Sequence, residues 1–145
     1  MLVREAMTDN VYIVTPDQSI RDAARLMAQN DIGSLPVGEN ERLVGMITDR
    51  DIAVRAVADG KSPDTKVRDV MSSEVLYCFE DETLEQVARN MGDMKVRRLP
   101  VLDREKRLVG IVSVGDLART EDEVTVGAAV SEISEPGGAH SQASH

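Results

Sequence analysis

The chain repeats itself at a spacing of 64 to 65 residues, and this repeat limits its possible folds more than any other feature. VREAM at 3–7 returns as VRDVM at 67–71, and SIRDAARLM at 19–27 returns as TLEQVARNM at 83–91. SLPV at 34–37 returns as RLPV at 98–101, and RLVGMITDRDIA at 42–53 returns as RLVGIVSVGDLA at 107–118. The spacing grows by one near DREKR at 103–107, which marks an inserted loop residue. Each copy, of roughly 60 residues, is too short to hold a good core alone. The repeat therefore predicts two similar halves that bury a shared face about a pseudo-twofold axis. The sequence divides into a first motif at 1–57, a linker at 58–66, a second motif at 67–120 and an acidic extension at 121–145.

Each half reads as β-α-β-β-α, an α/β (α+β) pattern. A short strand (VYIV or VLYC) precedes a helix opened by a capping box, Ser19 with Asp22 or Thr83 with Gln86. The helix carries an apolar stripe of Ile20, Ala23, Ala24 and Met27, matched by Leu84, Val87, Ala88 and Met91. That i, i+3, i+4, i+7 spacing marks one buried face. SLPV and RLPV read as short strands. LVGMIT and LVGIVS read as β-branched strands leading into a second helix. ADGKSPDT at 58–65 has linker composition. A short helix is expected within 124–133, and EPGGAHSQASH reads as disordered.

Aromatics amount to 2% of the chain, namely Tyr12, Tyr77 and Phe79, so the core must come from Val, Leu, Ile, Ala and Met. The formal net charge is −9, of which residues 121–145 supply −5 with no Lys or Arg. An acidic chain with few aromatics lacks the basic surface for nucleic acid or anionic membrane and the platforms for single-strand stacking. The lone Cys78, in apolar surroundings, reads as a small buried thiol. No apolar run approaches a signal peptide or a bilayer span, which points to a cytoplasmic protein.

The phrase written twice is GMITDRD at 45–51 and GIVSVGD at 110–116. Thr48 with Asp51, and Ser113 with Asp116, have the spacing of a helix capping box. The same residues suit a nucleotide. An ionised carboxylate accepts both hydroxyls of a ribose, and a helix start offers N–H groups to phosphate. Pro36 and Pro100 sit inside apolar strands and donate nothing to a ladder, so these strands should lie at an edge or beside an opening. Arg50 in the first half, and Arg97 and Arg98 in the second, suit phosphate; the matched positions are Gly115, Gly33 and Ser34.

With LPV, LVG and the Gly-x-x-[Thr/Ser]-x-x-Asp phrase each duplicated, residues 1 to about 120 resemble a tandem pair of CBS (cystathionine β-synthase) domains, a Bateman module. The resemblance implies a nucleotide cleft between the halves that holds AMP, ADP, ATP, NAD or S-adenosylmethionine, AMP foremost. It places Asp51 and Asp116 on the ribose, with Thr48 and Ser113 beside them. It implies a nucleotide contact for Thr15, where the second half has Phe79, and a phosphate contact for Arg98. Leu35 and Leu99, with the prolines after them, would line the base pocket. It also implies a disc-shaped homodimer.

Catalytic chemistry is poorly supplied. The histidines are His140 and His145, both near the C-terminus, and no nucleophile triad, metal cluster or P-loop is present. The expected function is a stand-alone, non-enzymatic regulator that reports energy or stress state to an unidentified partner protein. The rival is a ligand-free interaction module.

Overall fold

The computed structural model describes residues 1–120 and Ile133. The expected C-terminal helix, Ile133 apart, the tail and both histidines lie outside the described residues. In chain order the elements are α1 (Val3–Ala6), α2 (Ile20–Asn30), β1 (Ser34–Glu39) and β2 (Arg42–Thr48). There follow α3, which opens at Asp49–Asp51 and continues over Ile52–Val57, then β3 (Cys78–Phe79), α4 (Leu84–Met94), β4 (Arg98–Leu102), β5 (Leu108–Ser113) and α5 (Val114–Thr120).

Two compact units form, and they are out of phase with the sequence repeat. Among the described residues, one is Tyr12–Val75 and the other joins residues 1–11 to 76–120. VRDVM thus packs with the first copy of the strands and helices, and VREAM with the second. In the first unit Ser72 and Met46 exchange two backbone hydrogen bonds of 2.9 Å; in the second Thr8 and Ile111 do the same. The stretch read as a linker is exposed but hydrogen-bonded to the helix start. The Thr65 and Pro63 carbonyls accept the Ile20 and Arg21 N–H groups at 2.9 and 3.2 Å, satisfying the open donors at the start of α2.

Within each unit an amphipathic helix covers a sheet. Ile20, Ala23 and Met27 of α2 join Leu35, Val37, Ile47, Val67 and Val70 in one core. Leu84, Val87, Ala88 and Met91 of α4 join Val3, Leu99, Val101 and Val112 in the other. Each such enclosed aliphatic side chain contributes about 1.5–3 kcal/mol by burial. Ala24, expected on the buried stripe, is exposed, so the stripe of α2 is narrower than that of α4. Ser19 and Thr83 cap the helices as expected, accepting from the Asp22 and Gln86 N–H groups at 3.1 and 3.2 Å.

The strands run as antiparallel hairpins, β1 with β2 and β4 with β5; β3 adds in parallel to β4. The expected first strand VYIV shrinks to a single bridge at Val14, and VLYC to Cys78–Phe79. The prolines are the cause. Val14 donates to the Pro36 carbonyl at 3.2 Å and accepts from Gly38 at 2.9 Å, but Pro36 has no N–H with which to carry the ladder back toward Tyr12. β1 is therefore not a free edge, and both prolines are buried.

Cys78 is buried, and burial pushes its thiol up to about 12, with the Glu82 charge adding to the effect. An unfolded thiol loses its proton near pH 8.5–9, whereas the folded one keeps it. Stability from this group is complete below that range and is lost as pH rises toward 12. Urea unfolding between pH 8 and 11 should show a steeper loss for the native chain than for Cys78→Ala; parallel slopes would refute this.

Candidate functional site

Both copies of the repeated phrase build the same junction, where the second strand of a hairpin turns into a helix. At Thr48 the hydroxyl accepts the Asp51 N–H at 3.0 Å, and the Asp51 Oδ2 accepts the Thr48 N–H at 3.0 Å. At Ser113 the hydroxyl accepts the Asp116 N–H at 3.2 Å, and the Asp116 Oδ2 accepts the Ser113 N–H at 2.8 Å. The capping box is therefore real in both units. It uses one carboxylate oxygen and leaves Oδ1 for other work.

That second oxygen meets an arginine one turn on. Asp51 Oδ1 lies 3.9 Å from Arg55 Nε, and Asp116 Oδ1 is bonded by Arg119. The two aspartates differ in access: the Asp51 side chain is 19% exposed, that of Asp116 6%. Arg55 and Arg119 stand one position out of register in the repeat, since Asp51 matches Asp116 but Arg55 matches Thr120, and neither had a part in the expected site. Their i+4 and i+3 offsets from the aspartates were the signal available in the sequence.

The hairpin registers bring further residues to the junctions. Ser34 stands opposite Thr48, and Arg98 opposite Ser113. The Gly33 carbonyl accepts the Asp49 N–H at 2.9 Å, and the Arg97 carbonyl accepts the Val114 N–H at 3.0 Å. Arg97, Arg98 and Arg50 are all exposed. The expectation for Leu35 and Leu99 needs correction. Both are core residues, 0% and 1% exposed, so their side chains have no surface to offer a base.

Thr15 and Phe79 lie apart from the junction of their own unit. Val14 runs parallel to β1 and pairs with Val37, so Thr15 stands level with Gly38, four strand residues from Ser34. Phe79 pairs with Leu102, four residues from Arg98. At roughly 3.3 Å per residue, each is about 13 Å along the sheet from its junction. Phe79 is instead tied into a local cluster. Its ring meets Tyr77 edge-on at 5.6 Å, and Arg104 lies over it at 4.3 Å. Arg104 also donates to both oxygens of Asp81, holding that carboxyl below its usual range. The parallel direction brings Tyr12, 45% exposed, toward the Ser34 end of its sheet.

The CBS domain family model matches residues 3–57 and 67–123. The chain belongs to the CBS-domain family. A CBS domain-containing protein of Bacillus subtilis, YhcV, is 42% identical over 91% of this CBS chain and 94% of its own. The crystal structure of Hypoxic Response Protein I with two coordinated zinc ions is 34% identical at a TM-score of 0.75, over 84% of this chain and all of that one. CBSX2, solved in complex with AMP, is 30% identical at a TM-score of 0.71, over 81% and 93%. Among the described residues of this CBS pair, no three His, Cys, Asp or Glu side chains group to hold a metal ion, and no helix is long and apolar enough to cross a membrane.

Proposed function

We propose that this CBS pair is a cytoplasmic, non-enzymatic regulatory module that binds an adenine nucleotide, AMP foremost, and reports energy or stress state to a partner protein. The observation that carries the reading is the doubled junction. In each unit a capped carboxylate keeps one oxygen outside the cap, faced by an arginine whose side chain is exposed. A ribose can donate to that oxygen as the arginine turns to phosphate, which exchanges one charge-assisted contact for another. The AMP complex of CBSX2 supports the choice of ligand. The same arginine contacts favour a second reading, a ligand-free interaction module, because they already satisfy the carboxylates.

A thermal-shift screen of ligand-free protein separates the two. At 100 times its dissociation constant, a nucleotide adds about 2.7 kcal/mol. At roughly 2–4 °C per kcal/mol, the midpoint rises by about 5 °C or more. AMP should give that rise, with ADP, ATP, NAD and S-adenosylmethionine ranked below or beside it. No rise with any of the five leaves the interaction module. The reading includes a two-fold homodimer; light scattering on the same samples should give twice the chain mass of 15.8 kDa.

A further inference from the structure

The two junctions are built alike but charged differently. Gly33 and Arg97 hold the same backbone place, since each carbonyl accepts the N–H of the residue following the cap, Asp49 or Val114. Ser34 and Arg98 hold the same ladder place, opposite Thr48 and Ser113. Two positions before Gly33 and Arg97, the left-handed residue closing the preceding helix is Asp31 in the first unit and Lys95 in the second. Asp31, Gly33 and Ser34 thus stand where the second unit has Lys95, Arg97 and Arg98. Asp116 does not consume the added charge, because its carboxylate is held by the Ser113 backbone and by Arg119. Arg97 and Arg98 are exposed and form no ion pair within the described residues. In the first unit Arg50 is the comparable exposed guanidinium, with Asp49 as its chain neighbour.

From this asymmetry we propose that the two junctions select ligands by phosphate number. The Ser113–Asp116 junction takes a nucleoside polyphosphate, with Arg97 and Arg98 on its terminal phosphates. The Thr48–Asp51 junction takes a nucleoside or its monophosphate. Beyond the arginine that faces each aspartate, Arg55 or Arg119, two adjacent guanidinium forks match the several oxygens of a di- or triphosphate, whereas Arg50 alone, beside carboxylates, matches one phosphate or none. The proposal rests on the nucleotide reading above and adds selectivity to it. Such a pair compares two forms of one nucleotide, since each form has its own junction.

The test follows the Thr48 and Ser113 amide signals by NMR during titration with AMP and with ATP. ATP should move Ser113 at lower concentration than AMP does, and its binding should weaken steeply as salt is raised. Arg97→Gln with Arg98→Gln, both at exposed positions, should weaken ATP at Ser113 by about tenfold or more and AMP by much less. Ser34→Arg should strengthen ATP at Thr48, a gain that a misfolded variant cannot mimic. If AMP and ATP move each amide equally in the native chain, or if neither the double substitution nor Ser34→Arg shifts the preference, the selectivity proposal is overturned while the nucleotide reading stands. If neither nucleotide moves either amide, both fall together.

Discussion

Gly45→Ala should lower stability by about 2–3 kcal/mol, and the melting midpoint by about 5–10 °C. A β-carbon on Gly45 would lie 2.6 Å from the Met71 Sδ and 2.8 Å from the Ser72 carbonyl oxygen. The methionine can turn aside. The carbonyl cannot, because Ser72 and Met46 hold each other by two hydrogen bonds, so the added methyl must break that pair. Gly110 repeats the geometry, with Met7 Sδ at 2.6 Å and the Thr8 oxygen at 2.8 Å. Its consequence should be the same in kind, because Thr8 and Ile111 also hold each other by two hydrogen bonds. Gly110→Ala should therefore lower the melting midpoint by a similar amount. Gly38→Ala is the control: its nearest atoms are 3.5 and 3.6 Å away, ordinary contact, and its effect should stay small. Equal midpoints for Gly45→Ala and Gly38→Ala would remove this account of the repeated glycine.

Asp51→Asn should weaken AMP binding by roughly tenfold or more while leaving the fold nearly unchanged. Asparagine keeps an oxygen for the Thr48 N–H, so the cap survives. It turns an amide donor toward the place where Asp51 Oδ1 would accept a ribose hydroxyl. A hydrogen bond to a charged group contributes about 1.5–3 kcal/mol, which is the expected loss. Asp116→Asn should remove a weaker AMP event, because its carboxylate is more enclosed and already bonded by Arg119. This ranking rests on the 19% and 6% exposures and on Arg55 standing off at 3.9 Å. Thr15 and Phe79 have no part in it, since both lie at the far ends of their sheets. Calorimetric titration of both variants decides the matter. Unchanged affinities would reduce both aspartates to helix caps, and the reverse order would show that exposure does not set the ranking.

Much of this protein was legible as local pattern. A repeat at fixed spacing, two helical stripes, Ser19 and Thr83 as caps, and the Thr48–Asp51 and Ser113–Asp116 boxes depend on residues a few positions apart, which the chain itself holds close. The fold class and the CBS family followed from those patterns. Tertiary structure decided what depends on direction and partner. VREAM and VRDVM have nearly the same pattern, so no local rule says which copy docks on which strand; the structure pairs Thr8 with Ile111 and Ser72 with Met46. The glycines of the repeated phrase read as part of a ligand motif, yet they make room for those crossing segments. Thr15 lies near the junctions in the motif's order but about 13 Å away along a parallel strand. Leu35 and Leu99 read as pocket residues but face the cores, because alternation along a strand assigns sides only once the sheet's covered face is known. Local periodicity determines which elements form; the faces they bury and the ends they bring together are set by pairings between residues distant in sequence.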